Sequence, residues 1–254
     1  MIKNTVNSKL KTAIRTAVVT AVWVAVWLFA AFIAEKKHLS ILIPYPNEVI
    51  EAFRQLLCDQ DFYVSGAKSL LRVLEAWGSG LVFGIILAVI TKLSKALHSL
   101  FAPVLHIIKA TPVASFIILA LVLMTSSFVP VVTGFLMALP VVWANMSQGL
   151  HAPQKEILEM ANAFNMSRKN KIRYIYLSSL KPYFSAAATT SMGLTWKACI
   201  AAEVICTPKN SIGSEIYNAK VYLETPSLFA WTLTVIVLSV ILEKFIKILL
   251  KRWE

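Results

Sequence analysis

The stretch AVVTAVWVAVWLFAAFIA, residues 17–34, runs for eighteen positions without a charge, a proline or a glycine. A helix rises about 1.5 Å per residue, so such a run covers roughly 27 Å, close to the ~30 Å hydrocarbon thickness of a bilayer. Lys3, Lys9, Lys11 and Arg15 precede it, a charge pattern that also opens secretory leaders. The apolar part of a leader is shorter, about 7–15 residues, and a cut after Ala34 would place bulky Phe32 where a small side chain is needed. The stretch is therefore read as an uncleaved first span, about 14–34.

The rest of the chain keeps this character. Of its 254 residues 57% are hydrophobic and 15% charged, and the mean hydropathy is +0.68, whereas a soluble domain carries about 25% charge. Apolar blocks of span length recur at about 69–91, 100–124, 128–149, 183–206 and 228–250. The reading is an all-α integral membrane protein, one transmembrane domain over 1–254 with six spans. Gly80 and Gly84 in the second span have the GxxxG spacing that lets helices approach closely. Pro103 and Pro112 interrupt the third span and Pro140 kinks the fourth, each freeing a carbonyl that protein or water must satisfy. After the Ile43-Pro44-Tyr45-Pro46 turn, Asn47 is placed to cap a short amphipathic helix to about Leu57.

The net charge of +12 reflects orientation, because Lys and Arg sit between the apolar blocks and form no aromatic-interleaved patch for nucleic acid. With the N-terminus inside, one face collects Lys3, Lys9, Lys11, Arg15, Lys92, Lys95, Lys155, Arg168, Lys169, Lys171, Arg173, Lys181, Lys244, Lys247, Lys251 and Arg252. Lys36, Lys37, Arg54, Lys68, Arg72, Lys209 and Lys220 remain outside. Both termini are then cytoplasmic. Cys58, Cys199 and Cys206 are an odd set without metal-ligand spacing and indicate neither a disulfide framework nor a zinc site.

The longest cytoplasmic connection, about 150–181, has its own design. Pro153 suits a first helical position, and Ile157, Met160, Ala161 and Phe164 recur at helical spacing with Glu156 and Glu159 on the more polar flank. Asn165 suits the left-handed residue that ends a helix. Ser167 can cap a second element carrying Arg168, Lys169, Lys171 and Arg173. The spacing predicts a short helical hairpin whose apolar face is left for a soluble partner.

Glu159-Met160-Ala161, then Asn165 and Leu177-Ser178, resemble the Glu-Ala-Ala, glycine and Leu-Pro positions in the cytoplasmic loop of type I ABC importer permeases, with three positions substituted. Ile43-Pro44-Tyr45-Pro46-Asn47-Glu48-Val49, Ser69-Leu70-Leu71-Arg72-Val73, Asn145, Gly149 and Trp196-Lys197-Ala198 through Ala202-Glu203 look like the nitrate, sulfonate and taurine branch. The resemblance covers about Ile43 to the C-terminus. It implies the type I permease fold with a cytoplasmic coupling helix in the bacterial inner membrane. Glu159, Ala161, Phe164 and Asn165 would be the docking positions for an ATPase. The implied partners are two ABC ATPase subunits that hold ATP and Mg, an extracytoplasmic solute-binding protein and a second permease copy. The solutes of the branch are small anions such as sulfonates and nitrate, and also pyrimidine or flavin precursors.

Lys197 and Glu203 fall inside the fifth span, where each charge costs roughly 2.5–3.5 kcal/mol unless protein or water receives it. Six residues apart they point about 120° from each other, so they form no simple intrahelical pair. Two readings stand: Lys197 meets an anionic group on a translocation path with Glu203 holding a gate or orienting it, or both tie helices together. Arg72 and Glu75 have spacing that permits a pair. Lys109 and His106 can snorkel to the interface. No GxxxxGK[ST] phosphate cradle occurs, and only 8 residues are glycine, so this chain is read as holding no cofactor, with ATP hydrolysis left to another chain. The four histidines are scattered, which speaks against an enzyme. An ion-coupled secondary transporter is the alternative, although no inverted repeat is visible.

Overall fold

The computed structural model describes residues 2–39 and 41–251, with side chains from residue 14 onward. The side chains of Lys3, Lys9, Lys11 and Arg252, used above for orientation, lie outside the described residues. All regular structure among the described residues is helical. The chain divides into two compact units, Met1–Asp59 with Asn218–Leu233, and Gln60–Tyr217 with Thr234–Glu254.

In the first unit, α1 (Ile2–Lys36) contains the opening apolar stretch. The turn behind it is held by side chains: the Trp27 indole donates to the Pro44 carbonyl at 3.1 Å and stacks on Phe229 at 5.9 Å. The Thr225 hydroxyl donates to the Ile41 carbonyl. The Tyr45 hydroxyl donates to Glu35 Oε2 at 2.6 Å, and this bond raises the phenol above its ordinary value. Helix α2 (Pro46–Cys58) starts one residue before the expected cap, with Tyr45 and not Asn47 at the N-cap. Pro46 is the cause, since its fixed φ and missing N–H suit a first helical turn. The Glu48 carboxylate then accepts the Tyr45 N–H at 2.9 Å.

The second unit is built on α3 (Gln60–Leu93), α6 (Val129–His151) and α9 (Leu177–Cys206). Helix α6 packs most extensively against the other two. Lipid tails are as apolar as leucine, so membrane helices associate through close packing of small residues and through hydrogen bonds. Both occur here. A Cβ on Gly84 would lie 2.7 Å from Val142 Cβ and 3.2 Å from the Leu139 carbonyl, and one on Gly80 would overlap Ala138. The GxxxG pair thus sets the α3–α6 approach, as its spacing predicts. The Trp143 indole donates to Thr91 Oγ1 at 3.0 Å, and the Trp77 indole to Ser191 Oγ at 3.1 Å. The Cys199 thiol donates to the Pro130 carbonyl at 3.2 Å.

The stretch expected as one third span is two helices, α4 (Lys95–Ala110) and α5 (Val113–Leu123), bent by 105° across a break of two residues. Of the two prolines, Pro103 is absorbed inside α4. Pro112 is the N-cap of α5, and proline disfavours a helical conformation at the residue before it. Leu105 of α4 packs with Ala88, Val142, Trp143 and Met146. Ile117 and Ala120 of α5 pack with Val129, Ala202 and Cys206 at the opposite ends of α6 and α9.

Among the described residues three helical stretches, Ile14–Lys36, Gln60–Leu93 and Val129–His151, are long and apolar enough to cross a membrane, and the bent pair makes a fourth if taken as one span. Several sequence boundaries move, and α3 begins at Gln60 where a start near Ser69 was expected. Helix α9 begins at Leu177 and passes through Pro182, where a polar connection to Lys181 was expected. The expected loop to Ser227 contains α10 (Ile212–Val221), whose first turn is capped by Ser211 Oγ accepting the Ser214 N–H at 3.1 Å. The final helix, α11, covers Thr225–Lys251.

Candidate functional site

Between α6 and α9 the chain forms the expected hairpin. Helix α7 (Lys155–Ala163) is followed by α8 (Arg168–Asn170) and a wider-wound π segment, Lys171–Tyr176, that leads into α9. Pro153 stands two residues before α7, ahead of the N-cap Gln154, and not in the first helical turn. Asn165 has φ 49°, the left-handed backbone asparagine tolerates better than most residues. The Met166 N–H reaches back to the Ala161 carbonyl at 2.9 Å and the Asn165 N–H to the Asn162 carbonyl at 2.9 Å, which closes the helix end in the manner of a Schellman motif. Ser167 Oγ accepts the Asn170 N–H at 3.4 Å and opens the second element. Lys171 Nζ donates to Asn162 Oδ1 at 2.5 Å, tying the two arms together.

The apolar face of α7 is divided. Ile157 is 40% exposed, Met160 57% and Phe164 79%, while Ala161 is 2% exposed. Ala161 therefore packs inside the hairpin and does not share the open face expected for it. Its small side chain lets α7 lie against the following segment. Glu159 is exposed, with Lys155 at 3.6 Å. Pairs of this kind on an open surface contribute little to stability, which leaves the carboxylate available to another molecule.

The second constellation surrounds Glu203 near the end of α9. Its carboxylate has no exposed surface. It accepts from Ser69 Oγ at 2.7 Å to Oε2, from Arg72 Nη1 at 2.9 Å to Oε1, and from the Gly213 N–H at 3.2 Å to Oε2. Ser69 Oγ in turn accepts the Ile212 N–H at 3.0 Å. Arg72 Nη2 donates to the Lys209 carbonyl at 3.3 Å, and Lys68 Nζ to Asn210 Oδ1 at 3.1 Å. Three neighbouring side chains of α3 thus grip the segment from the end of α9 to the start of α10, where Thr207 and Asn210 both have positive φ. The carboxylate sits at the N-terminus of α10, where unpaired amides favour negative charge. Gly213 is required there, because a Cβ would overlap Glu203.

Arg72 therefore pairs across helices with Glu203, and the spacing-permitted pair with Glu75 does not form; Glu75 is exposed. Lys197 is exposed on a different side of α9, on a stripe with Ala186, Thr190, Leu194 and Ala201. Lys197 and Glu203 are not brought together. Ser69, Arg72 and Gly213 were missed as partners of Glu203. The available signal was that Arg72 and Glu203 are opposite charges near matching ends of two antiparallel apolar helices.

The sequence that builds this all-helical scaffold also matches a known family. Residues 80–254 match the family described as the binding-protein-dependent transport system inner membrane component. The chain belongs to that family. Among its relatives, the bicarbonate transport system permease protein CmpB of Synechococcus elongatus is 21% identical over 198 residues, covering 77% of this chain and 70% of the relative. The taurine transport system permease protein TauC of Escherichia coli is 21% identical over 219 residues, 84% of this chain and 79% of the relative. The putative aliphatic sulfonates transport permease protein SsuC of Bacillus subtilis is 20% identical over 219 residues, 84% and 78%. The family is one of transport components and not of catalysts, and the resemblance to the nitrate, sulfonate and taurine branch is supported. The family match contains the hairpin, Lys197 and Glu203, whereas Ser69 and Arg72 lie ahead of it.

Proposed function

We propose that this chain is the membrane-spanning permease subunit of an ATP-driven importer in the bacterial inner membrane. Six spans are assigned to α1, α3, α4 with α5, α6, α9 and α11, with both termini on the cytoplasmic side. One observation carries the reading: a nine-residue helix, α7, presents Ile157, Met160 and Phe164 to solvent beside an acidic residue, Glu159. Such a face has the apolar anchors and polar rim of a protein-binding surface. The partner is an ABC ATPase, two copies per transporter, which holds ATP and Mg. Ala161 and Asn165 set the shape of the hairpin while Glu159, Met160 and Phe164 make the contact. A second permease copy completes the path, and an extracytoplasmic binding protein delivers the solute.

Bicarbonate, taurine and aliphatic sulfonates, the solutes in the relatives' names, all carry anionic oxygens. A small solute with such a group suits Lys197, the cation exposed on α9, with Glu203 anchoring the wall of the path. Burying a large apolar side chain is worth about 1.5–3 kcal/mol. Met160→Glu with Phe164→Ala is therefore expected to weaken copurification of the ATPase at least tenfold, by about 1.4 kcal/mol or more, and to abolish permease-stimulated ATP hydrolysis. Unchanged copurification and stimulation would overturn the docking role. Transport by Lys197→Met at the wild-type rate and affinity would remove Lys197 from the path.

A further inference from the structure

The segment after Asn165 has a composition unlike that of the docking face proposed on α7. From Met160 to Ala202 there is no acidic residue, while Arg168, Lys169, Lys171, Arg173, Lys181 and Lys197 fall within it. Lys171 is engaged with Asn162. Arg168, Lys169 and Arg173 are exposed. Among these cations stand exposed apolar side chains: Ile172 at 56%, Tyr174 at 60% and Leu177 at 45%. The backbone sets their arrangement. The Leu177 N–H bonds to the Ile172 carbonyl, an i to i+5 closure wider than an α-helical turn that brings Ile172 near Leu177. The Arg173 guanidinium lies 5.8 Å from the centre of the Tyr174 ring, which keeps the charge beside an amphipathic ring of the kind found at headgroup level. The segment runs without a break into α9.

We infer that Arg168, Lys169 and Arg173 form a binding surface for the anionic headgroups of the adjoining lipid leaflet, with Ile172, Tyr174 and Leu177 entering the acyl boundary. The inference rests on α9 crossing the bilayer. Charge selects the occupant: the surface carries cations without a single acidic neighbour in sequence, and interleaved apolar side chains suit a headgroup–acyl boundary. Phosphodiester headgroups supply the matching charge. The hairpin then has two differently directed chemistries, with apolar and acidic side chains on α7 and basic, lipid-facing ones on the following segment.

The test uses the full chain in nanodiscs of phosphatidylcholine alone or with phosphatidylglycerol, read by amide hydrogen exchange over residues 166–177. Native mass spectrometry of the detergent-solubilised chain titrated with phosphatidylglycerol supplies the affinity. Phosphatidylglycerol is expected to slow exchange in this segment. The variant Arg168→Gln/Lys169→Gln/Arg173→Gln is expected to lose phosphatidylglycerol affinity by about fivefold per charge removed. Arg168→Lys/Lys169→Arg/Arg173→Lys is expected to retain it. Equal protection in both lipids, or unchanged phosphatidylglycerol affinity in the glutamine variant, would overturn the inference. So would protection that appears only when an ATPase subunit is added, which would assign the basic surface to a protein partner. Extraction of the wild-type chain from membranes by alkaline carbonate would strike the spanning reading itself, a different failure from an embedded chain indifferent to phosphatidylglycerol.

Discussion

Replacing Glu203 by alanine removes the acceptor for Ser69, Arg72 and the Gly213 N–H together. The Arg72 side chain is 13% exposed and that of Glu203 0%, so the substitution leaves a mostly buried guanidinium with the Lys209 carbonyl as its remaining acceptor. Breaking a buried pair from one side costs about 3–5 kcal/mol. For a chain of this size each 1 kcal/mol moves the melting temperature by about 2–4 °C, so Glu203→Ala should melt roughly 6–20 °C below wild type. Cys199 and Cys206 are buried while Cys58 is exposed. A thiol-reactive dye on a Cys58→Ala background therefore reports unfolding directly. Glu203→Gln keeps the shape and part of the bonding and should fall between. The double variant Arg72→Met/Glu203→Leu removes both charges and should recover most of the loss, because apolar replacement of a buried pair is often neutral or stabilising by about 1–4 kcal/mol. A melt for Glu203→Ala within 2 °C of wild type, on the order of 1 kcal/mol or less, would refute this account. A double variant as unstable as the two single losses added together would refute it equally.

Gly84→Ala should lower the melting temperature, because its Cβ meets Val142 at 2.7 Å and overpacking costs about 1–3 kcal/mol. Gly78→Ala, with nothing within 4 Å, should be neutral or stabilising by up to about 1 kcal/mol; the same dye assay separates the two. Asn165→Gly should leave the hairpin intact, whereas Asn165→Val, forced to φ 49°, should cost about 1–2 kcal/mol and speed hydrogen exchange at the Met166 amide. Ultraviolet titration should find the Tyr45 phenol ionising above its ordinary value of about 10, since ionisation breaks its bond to Glu35. The stabilisation from that bond is complete below the ordinary value and lost as pH rises through the raised one. Glu35→Gln should bring the titration back down.

The sequence carries the helices clearly because lipid imposes one solution: an apolar run of span length must satisfy its backbone internally. The Gly80–Gly84 approach and both turns at Asn165 and Ser167 are local features, governed by spacing and backbone preference, and they are legible for that reason. The bend between α4 and α5 is only half legible. Two prolines at Pro103 and Pro112 look alike in sequence, and it takes the packing of Leu105 on one side and Ile117 on the other to choose the break. Helix α10 is hard to read in sequence because its apolar residues lack a strong period, although Ser211 supplies a cap. The Glu203 network is the hardest to read, since its donors come from residues 131 and 134 positions earlier. Spacing rules address neighbours on one helix; they favoured Glu75 for Arg72 although the true counter-ion lay on another. For Ala161, helical periodicity identifies the apolar face but cannot tell which part of it the next segment covers.

The Arg72–Glu203 tie also has a schedule. The arginine leaves the ribosome 131 residues ahead of its counter-ion, which at about 5–20 residues per second is an interval of roughly 7–26 s. Until then the folded-state partner of Arg72 does not exist, and the tie between α3 and α9 cannot form. Nascent chains halted before residue 203 would hold Arg72 near aqueous or headgroup surroundings, and completion of α9 would draw it inward as one of the last acts of assembly.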